Sequence, residues 1–446
     1  MAKIQDKNRY YYLLKAYVDI TFKTAYRRIE YYGMENIPKD GAIIYAPNHT
    51  NTLMDALAVL TIDKQAKVFV ARADVFKNPV ALKILTFLKM LPINRKRDGL
   101  ENLAAQNEEI NDIVVDVLRD KVPFCILPEG VHRAKHSLMP LQKGIFRISL
   151  QANEAFGNQM PLYILPVGIE YGHFFRYRSS LLLQIGEPIN VTQFVSNHPE
   201  LTLPQQINAL RDDLDQRIKK IILHIPDDEN YDAVLELSQL YGKEQQRKLK
   251  LKGNLLINRF LAAKETIKNA TDLLKSNPEQ MQKLLDTVND FSKKRHAHGI
   301  GMASVLKPHI RLDMCRKVLF LLLGLPYFIF ASVATSPVTL ISIWLCSKLK
   351  DRAFHNTVRY LVSFLLLPVF LLLMGVICSI VFSLREGLVY ILLFLPSFFF
   401  LHEYLRLLRL FVSDIKWLIH RELYREFKKI KNDWGKMLPL HFQKKV

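Results

Sequence analysis

The sequence predicts an α/β domain, a mainly parallel sheet flanked by helices, followed by a helical connector and a C-terminal α-helical membrane section. Three observations carry that reading. Short β-rich apolar runs alternate with helical stretches over the first half of the chain, two long runs without a charge lie near its end, and half of all residues are hydrophobic. The last fact matters because 62 Lys+Arg against 42 Asp+Glu leave a net charge of +20, and disorder requires such charge together with low hydrophobicity. At 446 residues the chain is long enough for two to three units that each bury a core, which excludes a single small binding module.

Residues 9–32 interleave aromatics with Lys and Arg at helical spacing, so 1–32 is expected to be an amphipathic helix at a membrane interface, a core helix being the alternative. A turn-like Pro38-Lys39-Asp40-Gly41 follows. The α/β domain is expected over 33–225, with strands at 42–46, 67–71, 123–127, 162–169 and 181–185 and helices at 81–90, 100–118 and 143–155. Strands separated by helices imply parallel pairing. Residues 226–315 are polar and helix-favouring and read as a helical connector with solvated faces.

The membrane section is expected over 316–404. Residues 318–346 and 360–384 form charge-free runs of 29 and 25 residues, both longer than the roughly 20 that cross a hydrocarbon core. A third stretch, 387–404, reaches across if His402 and Glu403 sit at the interface. Basic residues flank 318–346 on both sides, and the tail 405–446 carries 11 Lys+Arg against four Asp+Glu. Since positive flanks stay inside, 360–384 and 387–404 are expected to form a hairpin and 318–346 to re-enter, broken into half-helices at Pro326 and Pro337, or else to span. The tail 405–446 reads as a basic amphipathic segment. The start of the chain has no uninterrupted apolar run after its basic residues, and the four cysteines, Cys125, Cys315, Cys346 and Cys378, form no spaced framework. The N-terminal part is therefore expected in the cytoplasm.

The chemistry is sought where strands end. The run 42–46 delivers the chain into Pro47-Asn48-His49, with Asp55 six positions after the histidine. An imidazole can take a proton from an alcohol, and a carboxylate on its other nitrogen fixes the tautomer and stabilises the imidazolium. Three further segments follow in order: Met90-Leu91-Pro92-Ile93-Asn94-Arg95; Leu127-Pro128-Glu129-Gly130 with Val131-His132-Arg133-Ala134-Lys135 and Lys143 behind it; and Leu165-Pro166-Val167-Gly168.

This series resembles the glycerophospholipid acyltransferase superfamily, whose members carry an Asn-His...Asp block, an arginine block, a Pro-Glu-Gly block and a Val-Pro-Val-Gly-like block. The resemblance implies His49 as general base and Asp55 as its orienting partner. It further implies that Arg95, Lys143 and either His132 or Arg133, the latter preferred for its permanent charge, contact the acceptor phosphate around Gly130, and that Glu129 braces that loop. Attack of a glycerol hydroxyl on a thioester calls for such a base and for a cationic clamp on the phosphate, to which the planar fork of arginine is suited. The sequence departs from the family in four places. Five residues rather than four separate His49 from Asp55; one extra residue turns a helical side chain by about 100°, so the pair forms only if the intervening turn is not regular helix. His132 stands where an arginine is expected, Asn94 replaces a carboxylate, and Lys89 replaces a frequent glycine.

The resemblance implies a membrane-bound O-acyltransferase that moves a fatty acyl group from an acyl thioester, on coenzyme A or acyl carrier protein, to 1-acyl-sn-glycerol 3-phosphate, with glycerol 3-phosphate or dihydroxyacetone phosphate as the alternative acceptor. It implies neither a metal nor another cofactor. A zinc hydrolase built on His132 and His136, which share a face if helical, is the rival enzyme. Nucleic-acid binding is not expected, because the positive charge lies at span flanks and the tail, where anionic lipid accounts for it. A structural membrane protein is the non-enzyme alternative.

Overall fold

A computed structural model describes residues 3–94, 103–157, 159–226 and 228–438. They fall into two compact units, Met1–Ile222 with Lys348–Tyr360, and Leu223–Ser347 with Leu361–Val446.

The first unit contains, in order, α1 (Arg9–Ala25), β1 (Arg28–Tyr32), β2 (Ala42–Pro47), α2 (Leu53–Leu60), β3 (Val68–Arg72), α3 (Pro79–Phe87), β4 (Met90–Ile93), α4 (Leu103–Arg119), β5 (Phe124–Cys125), α5 (Gly144–Phe156), β6 (Leu162–Tyr171), β7 (Ser180–Ile185), β8 (Ile189–Asn190), α6 (Val191–Asn197) and α7 (Leu203–Ile221). The sheet order is β1-β7-β6-β2-β5-β3-β4, with β8 also on β6. The five strands β6, β2, β5, β3 and β4 run parallel, while β7 and β8 lie antiparallel to β6. Every residue of β2 is buried, as a strand covered on both faces requires, and it packs into a core with Val114 and Leu118 of α4, Phe146 of α5 and Leu210 of α7. Parallel pairing of β2 with both β5 and β6 brings three C-terminal ends to one edge, where ligands of such sheets bind.

Two boundaries differ from the sequence reading. The helix expected over 9–32 ends at Ala25, and Arg28–Tyr32 is a strand paired with β7, so the α/β domain begins before residue 33. Its Ile and Tyr residues suit a strand as well as a helix, and only the distant partner decides. The helix expected over 81–90 stops at Phe87, because Lys89 adopts φ 60° and turns the chain into β4. Lys89 occupies the position where glycine was expected, and the backbone keeps the left-handed conformation glycine would favour. Its buried ammonium donates to the carbonyls of Ile4 (2.5 Å) and Asp6 (2.9 Å), which ties down the N-terminal segment.

The second unit is helical: α8 (Tyr231–Leu240), α9 (Gly242–Lys248), α10 (Leu256–Ser276), α11 (Pro278–Ala297), α12 (Met302–Val305), α13 (Ile310–Lys348), α14 (Phe354–Val381, whose first turns belong to the first unit), α15 (Leu384–Ile419) and α16 (Arg421–Met437). The connector, expected to have solvated faces, and the basic amphipathic tail share one core in which Leu285 and Phe291 of α11 pack with Trp417 of α15 and Phe427, Ile430 and Trp434 of α16. A buried Arg295–Glu236 fork at 2.7 and 2.8 Å joins α11 to α8. The apolar stripe of α16 is thus consumed by protein, a partner that its own periodicity cannot name.

α13, α14 and α15, of 39, 28 and 36 residues, are long and apolar enough to cross a membrane. The break expected in the first charge-free run is not formed: Pro326 and Pro337 both lie inside the continuous helix α13. Pro337 lacks the N–H that would bond the Val333 carbonyl, and the Ser336 hydroxyl donates to that carbonyl instead, at 2.7 Å.

Candidate active site

Asn48 sets the geometry at the end of β2. Its side-chain oxygen accepts from the Ile169 amide (2.7 Å) and its side-chain nitrogen donates to the Ile169 carbonyl (3.2 Å), so the pairing with β6 continues through a side chain as the backbone leaves the sheet. Residues 49–52 are not helical, and Thr52 takes φ 45° before α2 begins at Leu53. A β-branched residue there is strained by about 1–3 kcal/mol. That irregular turn resolves the spacing problem, since it brings Asp55 back to His49 with five residues between them.

The His49 Nδ1 lies 2.8 Å from the Asp55 Oδ2. The same oxygen accepts the amides of Thr50 (2.8 Å) and Asn51 (2.7 Å), while Oδ1 accepts the Tyr171 hydroxyl at 2.7 Å. Asp55 is fully buried, so its charge is compensated by four donors rather than by water. Burial pushes the Tyr171 phenol up, which keeps it a donor. A carboxylate on Nδ1 leaves Nε2 of His49 as the nitrogen available to a substrate hydroxyl.

The loop after β5 meets this pair from the neighbouring strand. Glu129 is buried, accepts the His49 amide at 2.5 Å through one oxygen and the Met139 amide at 2.8 Å through the other, and so holds two loops together. Burial pushes its carboxyl up to about 7, against the opposing pull of those two amides. Gly130, at φ 68°, makes the turn out of β5 that a residue with a Cβ rarely adopts. The Arg133 amide donates to the His49 carbonyl (3.2 Å), and the His132 ring stands edge-on to the His49 ring with centroids 5.6 Å apart.

His49, Asp55, Glu129, Gly130, His132 and Arg133 are therefore brought together. Lys143 stands exposed at the head of α5, outside the hydrogen-bonded group around His49, and Arg95 lies outside the described residues. Among the described residues no group of three or more His, Cys, Asp or Glu is placed to hold a metal ion, and the two histidines of the zinc reading bond separate carboxylates, His132 that of Asp351 (3.0 Å) and His136 that of Glu170 (2.9 Å). Burial raises the Cys125 thiol, at the end of β5, far from the range of a reactive thiolate. Sequence reasoning named Asn48 without giving it a role of its own, and missed Tyr171 and Asp351. Asn48 and Tyr171 are the two that a sheet register could have found, because a register that pairs Pro47 with Val167 carries the end of β6 past the His49 turn. Asp351 carries no such signal.

The family model described as "Acyltransferase" matches residues 28–170. This chain therefore carries an acyltransferase domain over that stretch. The acyltransferase domain thus includes β1, in line with its place in the sheet. It is similar to Glycerol-3-phosphate O-acyltransferase 2 of Saccharomyces cerevisiae, at 35% identity over 85 residues, which is 19% of this chain and 11% of that protein. An uncharacterized acyltransferase of Schizosaccharomyces pombe is 25% identical over 122 residues, 26% of this chain and 18% of that protein. The chain thus spans less than a fifth of the length of either curated relative. The crystal structure of the 1-acyl-sn-glycerophosphate acyltransferase PlsC from Thermotoga maritima aligns over 47% of this chain and 78% of its own, at 18% identity and a TM-score of 0.35.

Proposed function

We propose that the acyltransferase domain moves a fatty acyl group from an acyl thioester to a free hydroxyl of a phosphorylated glycerol, and that the apolar helices hold it at the bilayer where product and lipid acceptor reside. The observation that carries this reading is the His49–Asp55 pair, at 2.8 Å, beside a loop bearing His132 and Arg133. Nε2 of His49 takes the hydroxyl proton as the alkoxide oxygen attacks the thioester carbonyl. Asp55 stabilises the imidazolium so formed. The tetrahedral intermediate then collapses, the C–S bond breaks, and the imidazolium returns its proton to the leaving thiolate. The acyl thioester is the only cosubstrate this sequence needs.

Of the two acceptors, 1-acyl-sn-glycerol 3-phosphate is the expectation from sequence, and glycerol 3-phosphate or dihydroxyacetone phosphate is the second reading. One observation moves glycerol 3-phosphate to first place: the similarity over 85 residues to the yeast glycerol-3-phosphate acyltransferase. The decisive experiment offers both acceptors, with a labelled acyl thioester, to membranes holding the full chain. Transfer to either supports the reading, with His49→Ala abolishing it at unchanged membrane association. More than a tenth of wild-type activity in His49→Ala would overturn the assignment. We place the domain on the cytoplasmic face because basic residues concentrate beside the spans. A cysteine at exposed Ser196, labelled from the opposite face alone, would reverse that placement.

A further inference from the structure

The segment Lys348–Tyr360, between two apolar helices and some 300 positions from His49 in sequence, belongs to the acyltransferase unit and is fastened to it at several points. Thr357 shares a 2.7 Å hydroxyl hydrogen bond with Thr52, the strained residue of the catalytic turn. Arg359 donates to the Phe175 carbonyl at 2.8 Å, and the Tyr360 hydroxyl lies 3.0 Å from that of Thr21. Asn356 and Tyr360 are buried. From this anchored segment the Asp351 carboxylate reaches His132 Nε2 at 3.0 Å, and the Phe354 ring stands edge-on to the His132 ring at 5.3 Å. The His132 ring is thereby in contact with the rings of both Phe354 and His49.

We propose that Asp351 is a positioning residue of the acyltransferase site, which fixes His132 beside His49 so that the ring, donating to Asp351 through Nε2, offers its other nitrogen to the acceptor phosphate. An exposed ion pair of this kind contributes little to stability, and Asp351 is half exposed, so fold maintenance does not account for it. Its place does. The Ala353 amide donates to the same carboxylate at 2.8 Å and, with His132, holds it below the ordinary range, so Asp351 acts as an acceptor and Nε2 carries the proton. The ring thereby stands in for the arginine expected at this position, with one nitrogen on the carboxylate and the other facing the acceptor phosphate.

The inference rests on the acyl-transfer reading for its substrate, and the experiment separates the two. Steady-state transfer to glycerol 3-phosphate and to 1-acyl-sn-glycerol 3-phosphate, and calorimetric binding of each, are measured on the full chain in detergent, with glycerol as control. Asp351→Asn retains an acceptor for Nε2 and loses the charge; it should raise KM and weaken binding about tenfold while kcat stays within about threefold. Asp351→Glu should remain near wild type, and His132→Arg in the Asp351→Asn background should restore KM, which a merely structural role would not produce. An unchanged KM in Asp351→Asn, or a fall in kcat alone, overturns the inference and leaves the transfer reading intact. Binding that depends on Asp351 without any transfer overturns the reading and keeps the inference. Absence of both binding and transfer overturns both.

Discussion

Replacing Asp55 by Asn isolates the contribution of one buried charge. The amide can put its oxygen where Oδ2 stands, keeping the His49, Thr50 and Asn51 donors, and its nitrogen where Oδ1 stands, where the Tyr171 hydroxyl must turn from donor to acceptor. One reversed hydrogen bond costs about 1 kcal/mol, so Asp55→Asn should fold. What it lacks is the negative charge facing the imidazolium during proton transfer. With charge centres about 4 Å apart and an effective dielectric of about 20, that attraction is about 4 kcal/mol. At about 1.4 kcal/mol per decade the loss is roughly a thousandfold in kcat. The fall should appear in kcat rather than in acceptor KM, because the charge matters in the transition state and not in phosphate binding. Initial rates of thiol release, with acceptor varied and acyl thioester saturating, read both constants. Tyr171→Phe removes one donor and leaves the charge, so its loss should stay below about tenfold. If Asp55→Asn retains more than a tenth of wild-type kcat in a folded protein, the paired-imidazole mechanism is wrong.

Glu129 gives a pH signature. Its carboxyl goes from an ordinary 4.5 to about 7 on folding, so the folded protein holds this proton more tightly, and stability falls as pH rises from about 4.5 through about 7. The loss attributable to this group is about 3 kcal/mol, and unfolding followed at several pH values should show Glu129→Gln with a correspondingly flatter profile; an unchanged profile would remove the cause. Lys89 tests the turn before β4. Lys89→Ala should destabilise the acyltransferase unit by about 2–4 kcal/mol through loss of the bonds to Ile4 and Asp6, lowering Tm by roughly 5–10 °C. Lys89→Gly should melt higher than Lys89→Ala by about 1 kcal/mol, since only glycine is unstrained at φ 60°, and the reverse order would refute the strain argument.

The sequence alone settled the class of fold, because the signals that define it are local. The buried runs that became β2, β3, β6 and β7 carry their pattern within a few residues, and three helices are long and apolar enough to cross a membrane. It also determined the order of the blocks that carry His49, Asp55 and Glu129, and even stated the condition under which the first two could meet. Tertiary structure decided whatever depends on a partner far along the chain. Whether Arg28–Tyr32 is helix or strand was settled by β7, and whether α16 is a free basic tail or part of a core was settled by α11. Tyr171 and Asp351 lie 116 and 219 positions from the residues they hold, Asp55 and His132. A carboxylate has no periodicity, and its use is fixed only when folding sets it within hydrogen-bond distance of a particular nitrogen.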